Sequence, residues 1–255
     1  MRAVGAAALI GPIGLIGLIG PIGAARAPKP LAWQAALDAH TVVGLRLTDK
    51  MVAGHHVGGE IVVQRDGRDV WRQQRLNPWK LLVADVDGDG KPEILVGVWK
   101  KSPHDKVMEN RVFVYSWNGV RLLPKWLGSR LARRFDDYAL ADVDGDGKAK
   151  LFALERCDAG RHRVAEYRWL CFGFAWVGCS PERSGLDGLE SEGRNVLAFG
   201  RAGLFQVSAE GASLTLERTR RPPAGVSRAE TPGENRLFIR RLIGGLTGGQ
   251  GRRRI

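Results

Sequence analysis

Two short stretches carry side chains whose type and spacing can do chemistry. Asp85-Val86-Asp87-Gly88-Asp89-Gly90-Lys91-Pro92-Glu93 sets acids at loop positions 1, 3, 5 and 9. Alternate carboxylates, with the backbone carbonyl of Lys91 at position 7, present the hard oxygens that calcium gathers in sets of six to eight. Gly88 and Gly90 permit the positive φ angles that bend such a loop around an ion. Four carboxylates brought that close repel one another unless a cation stands among them. The spacing returns 57 residues later as Asp142, Asp144 and Asp146, with Lys148 at position 7, but position 9 is now Lys150. An ammonium there either displaces the ion or swings out and leaves a water in its place. For both loops the plain alternative is a solvated, metal-free Asp-Gly turn. An EF-hand is excluded, because position 12 is Val96 rather than a bidentate glutamate and the flanks do not read as helices.

The elements that hold these loops read as strands. Aliphatic runs precede and follow each one: Leu81–Val86 and Glu93–Lys100 around the first, Tyr138–Val143 and Lys150–Arg156 around the second. Val112–Trp117 leads into Asn118-Gly119 and Val120–Trp126, a pattern that predicts a hairpin with a type I′ turn. Val164–Trp169 and Phe174–Cys179 occupy the corresponding places in the second copy, aligning Tyr167 with Tyr115 and Trp169 with Trp117. Units of about 45–57 residues with four short strands each fit the blades of a β-propeller.

The expected fold is therefore all-β, a small propeller of about four four-stranded blades or an incomplete one. A third, degenerate blade spans Leu186–Arg218, where the acidic spacing is lost. The N-terminal unit offers only Thr41–Leu47, Glu60–Arg65 and Val70–Arg75. The strand-like Arg236–Leu242 is expected to supply its fourth strand and close the ring, leaving no open sheet edge. No amphipathic helix longer than Trp33–Ala39 is in view.

These loops resemble the FG-GAP/VCBS repeat family, the calcium-loop β-propellers of integrin α heads and of many bacterial exported proteins. The family's D-x-D-x-D-G-x-x-D/E motif, followed by an aliphatic strand, matches Asp85, Asp87, Asp89 and Glu93 position for position. The resemblance covers roughly residues 70–209, with two copies clear and the others faded. It implies a propeller with calcium in the loops, and it implies no particular ligand. The departure at Lys150 puts calcium in the second loop in doubt.

Charge narrows the function further. The 39 Lys+Arg against 27 Asp+Glu give a net +12, which alone would suggest a nucleic-acid or anionic-membrane partner. Residues 1–27 carry two arginines and no acid, and residues 216–255 carry a net +7, which leaves +3 for residues 28–215. The first segment runs from Arg2 through an apolar Ala, Ile, Leu and Gly stretch to Ala25-Arg26-Ala27, the order of a cleaved secretory signal. A retained membrane anchor is the alternative, weakened by glycine at every third position from Gly11 to Gly23. The organisation is thus a signal at 1–27, a propeller domain at 28–245 and a basic tail at 246–255. Export argues against nucleic acid. Through the tail, anionic cell-wall polymers or lipid headgroups remain candidate partners.

No H-E-x-x-H, G-x-S-x-G or P-loop is present. Asp136-Asp137 or Glu155 could serve a glycosidase-type site if the fold brought other acids to meet them, though nothing in the sequence selects them. His55-His56 reads as a surface pair. Cys157, Cys171 and Cys179 match no zinc spacing and read as small buried apolar residues, though an exported chain allows one disulfide. Trp117 and Trp169 recur at a fixed offset, which favours packing over recognition. The reading is a monomeric, exported, calcium-binding propeller that is not an enzyme and binds a protein or glycan at the cell surface. The alternative is a propeller-based enzyme acting on an extracellular polymer.

Overall fold

The chain is described by a computed structural model over residues 29–128 and 130–219. The signal-like segment, the expected closing strand Arg236–Leu242 and the basic tail lie outside these residues. Among the described residues nineteen strands occur, and sixteen of them form four antiparallel units of four. Blade I begins with β1 (Trp33–Ala36) and β2 (Thr41–Arg46). After a small hairpin of β3 (Met51–Val52) and β4 (His55–His56), it ends with β5 (Glu60–Arg65) and β6 (Arg68–Gln74). Blade II is β7 (Pro78–Ala84), β8 (Glu93–Lys100), β9 (Glu109–Trp117) and β10 (Leu122–Leu127). Blade III is β11 (Phe135–Ala141), β12 (Lys150–Arg156), β13 (Arg161–Leu170) and β14 (Gly173–Cys179), with β15 (Arg183–Ser184) added beside β13. Blade IV is β16 (Gly188–Glu192), β17 (Asn195–Gly200), β18 (Gly203–Glu210) and β19 (Ser213–Thr219). A single parallel bridge, Cys179 to Ser213, ties the outer strands of blades III and IV.

The middle strands are apolar on both faces because each face meets a different neighbour. In β8, Ile94, Val96 and Val98 pack toward blade I, whereas Leu95 packs toward blade III. In β12, Leu151 and Ala153 face blade II, and Phe152 and Leu154 face blade IV. Four blades thus enclose three cores. Among the described residues no fourth core joins blade IV back to blade I.

Several expectations change here. The missing fourth strand of blade I is β1, which covers most of the candidate helix Trp33–Ala39. Trp33, Ala35 and Leu37 all pack on the core between blades I and II, a spacing of two rather than 3.6. Residues of good helix propensity are recruited by pairing with β2, from Trp33↔Leu45 to Ala36↔Val42. The expected type I′ turn at Asn118-Gly119 is instead a longer loop, with Trp117 opposite Leu122. Only Gly119 has positive φ there, and the Asn118 side chain accepts from the amides of Val120 and Arg121 at 3.0 and 2.8 Å. A type I′ turn does occur at Asp66-Gly67, where both φ angles are positive, 49° and 75°.

The cysteines are not the buried residues expected. All three are free, with Cys157 and Cys179 half-buried and Cys171 exposed at a hairpin tip with φ 49°. His55 is no solvated surface residue either, since its ring stacks on Trp99 at 4.6 Å. Trp117 and Trp169 do pack against inter-blade cores.

Blade I is also held by charge. The Arg46 guanidinium forks onto Asp69, 2.7 Å to each oxygen, and reaches Glu60 at 3.2 Å. That hydrogen bonding holds the Asp69 carboxyl down to about 2, against an ordinary 3.8. A carboxylate depressed by folding stabilises fully above its ordinary value, and that contribution is lost as pH falls through the folded value. Asp69→Asn is therefore expected to flatten the loss of thermal stability between about pH 4 and pH 2. Melting curves across that range check it, and an unchanged acid slope would count against the pair.

Candidate metal centres on two acidic loops

Both acidic loops join the first and second strands of their blades, β7 to β8 and β11 to β12. Each is wound by aspartate side chains that accept from the loop's own amides. Asp85 accepts from the amides of Gly88 and Gly90 at 2.6 and 2.8 Å, and Asp89 accepts from the Lys91 amide at 2.8 Å. In the second loop Asp142 accepts from Gly145, Asp146 and Gly147 at 2.8–3.1 Å, and Asp146 accepts from Lys148 at 2.8 Å. Positive φ at Gly88, Gly90, Gly145 and Gly147 makes the winding possible. In each loop the three aspartates present oxygens that all lie within 4.8 Å of one another, and in the first loop Glu93 is not part of that group.

Each loop is also covered by the next blade. The Asp85 carbonyl accepts from the Ala149 amide at 2.7 Å, so the first loop is bonded to the second. A Cβ at Gly88 would fall 2.3 Å from the Lys148 side chain, which shows how closely the two loops meet. The Asp142 carbonyl takes Arg194 Nε at 3.1 Å from blade IV, whose own first turn is only Gly193-Arg194. Where the acidic loop is lost, the arginine's guanidinium replaces the covering amide.

The cations facing the two sets of acids differ. In the first loop Glu93 is buried, accepting from the Val86 amide at 3.0 Å and from Lys125 Nζ at 2.7 Å. Lys125 pairs with Asp87 as well. Burial pushes the Glu93 carboxyl up, against the pull of Lys125. At Asp87 burial also works upward, but the hydrogen bond and charge of Lys125 prevail and hold it below its ordinary value. Lys125 lies on the outer strand β10, 23% exposed, with its ammonium 5.7 Å from the Trp169 ring centroid. Sequence reasoning missed it, because only the pairing of β10 across the blade brings it to the loop.

In the second loop Lys150 turns inward. Its Nζ donates to Asp146 at 2.7 Å, to the Lys148 carbonyl at 2.9 Å and to Asp144, and it stands 3.9 Å from Asp142. Its side chain is 4% exposed. The lysine's hydrogen bonds hold Asp144 below its ordinary value and bring Asp146 down to about 2.

Each of the acids considered for hydrolysis is held by its own partners. Asp136 lies with Arg156 and His162, at 2.6 and 2.8 Å. Asp137 holds Lys80 at 2.6 Å among the innermost strands. Glu155, fully buried, meets Arg163 at 2.8 Å and the Tyr167 hydroxyl. Each already has its cation.

Strands in four-membered blades, with D-x-D-x-D-G loops between first and second strands, define a propeller-type repeat protein. Residues 85–153, from the first acid of the first loop into β12, match the FG-GAP-like repeat. No curated protein matches the chain. The matched span begins inside blade II and ends inside blade III.

Proposed function

We propose that the protein is an exported, non-enzymatic β-propeller binding module for a cell-surface protein or glycan, with its first acidic loop braced by calcium. The observation that carries the calcium reading is the convergence of Asp85, Asp87 and Asp89, an all-oxygen donor set on a wound loop. These residues fit a hard divalent cation, and Lys125, partly exposed on an outer strand, is the neighbour free to give way. A bound calcium would supply the positive charge that lets the three aspartates coexist. The residues themselves do the rest: Asp85 fixes the two glycine amides, and its carbonyl docks the second loop.

Binding is favoured over hydrolysis because Asp136, Asp137 and Glu155 are all neutralised and separately placed. An exposed apolar edge of Leu170, Phe172 and Trp176 on the hairpin of blade III offers a surface to a partner. Among the described residues no helix is long and apolar enough to cross a membrane. Export rests on the order of charges and small residues in 1–27.

The affinity expected of such an extracellular site is about 10⁻⁴–10⁻³ M. Adding 10 mM calcium to chelated protein should then raise the melting temperature by roughly 3–10 °C. Asp87→Ala should remove most of that rise. No shift in the wild type would end the calcium reading.

A further inference from the structure

We infer that the second loop carries its own cation, the Lys150 ammonium, and that the protein binds calcium at the first loop only. The inference rests on the calcium reading of the first loop for its contrast, but its core is independent of it. Lys150 Nζ touches the side chains at positions 3 and 5 and the backbone carbonyl at position 7, and it lies 3.9 Å from position 1. Those are the oxygens that would surround a metal. Position 9, where the first loop has an acid, is the lysine itself.

The two lysines differ in whether they can leave. Lys125 sits on the edge strand β10 and is 23% exposed, with the face of Trp169 as an alternative neighbour. Lys150 sits on β12 between β11 and β13, and its side chain is 4% exposed. Expelling it from the loop would break its contacts with Asp144, Asp146 and the Lys148 carbonyl together. A dication placed beside it would be repelled at contact distance with one fewer acid to hold it. The second loop therefore does not fit calcium. Its winding, and with it the Arg194 contact to blade IV, is indifferent to calcium, whereas a bound calcium would add to the hydrogen bonds that wind the first loop. Chelation should loosen one blade junction and spare the next.

Calcium stoichiometry, by calorimetry on the full chain after chelation, tests this. The expected result is one equivalent, abolished by Asp85→Asn and retained by Asp142→Asn. Lys150→Glu, which restores the acid at position 9, should bind one equivalent more than the wild type. Two equivalents in the wild type, or loss of binding in Asp142→Asn, would overturn the inference whether or not the Lys150 variant folds. No binding in the wild type would defeat the first-loop reading alone. In that case a calcium equivalent gained by Lys150→Glu upholds the second-loop inference, and no gain overturns it.

Discussion

Asp137→Ala is expected to destabilise the protein by about 3–5 kcal/mol, because it strands a buried ammonium. Lys80, on the first strand of blade II, is 5% exposed and donates to Asp137 at 2.6 Å and to the Leu189 carbonyl at 3.1 Å. Asp137, on the first strand of blade III, accepts in turn from the Leu189 amide at 2.8 Å. One ion pair thus joins the innermost strands of blades II, III and IV. Removing the carboxylate leaves the Lys80 charge and the Leu189 amide unsatisfied together. Urea denaturation measures the loss, and a change under 1 kcal/mol would contradict the arrangement. The companion variant Lys80→Met with Asp137→Leu should recover most of the loss, since an apolar pair of similar volume leaves no charge behind.

Tyr138→Ala is expected to cost a comparable amount, about 3–5 kcal/mol, through the cavity it leaves. Tyr138 is fully buried in the core between blades II and III. Its ring meets Trp79 edge-on at 5.5 Å and Phe135 at 6.5 Å. Its hydroxyl donates to the Leu95 carbonyl at 3.1 Å, with the Lys80 carbonyl at 3.3 Å. Burial pushes that hydroxyl's pKa well up, so it stays a donor at any pH of interest. Tyr138→Phe keeps the ring and loses the donor, and should cost only about 1 kcal/mol. Equal losses for the two variants would show that the hydrogen bond, not the packing, holds the blades. Because Tyr138 adjoins Asp137, the two Ala substitutions should not be additive.

The repeat was legible wherever chemistry and periodicity coincided. Blades II and III follow from two copies of one loop, each between aliphatic runs, and their strands fall close to where those runs lie. Blade I was harder. Trp33, Ala36 and Leu37 also satisfy a helical spacing, and only the presence of β2 beside them decides for a strand. The Asn118 loop misled for a related reason: Asn-Gly is the type I′ signal, yet the asparagine side chain here captures two amides instead.

The candidate site shows the same division. The aspartates could be placed from spacing alone, since the loop is local. What stands opposite them could not. Lys125 reaches Asp87 and Glu93 from across 38 and 32 residues of chain, and Arg194 reaches Asp142 from 52 residues away. Lys150 was visible as a departure from the motif, but its two possible poses were not distinguishable without the burial of β12 around it.

A crystal structure grown in millimolar calcium, with anomalous difference maps calculated at long wavelength, tests the central claim most directly. The account predicts one peak, among Asp85, Asp87 and Asp89, with Lys125 turned away from Asp87. It also predicts no peak among Asp142, Asp144 and Asp146, with the Lys150 ammonium still in place. A peak in the second loop, or none in the first, would contradict it.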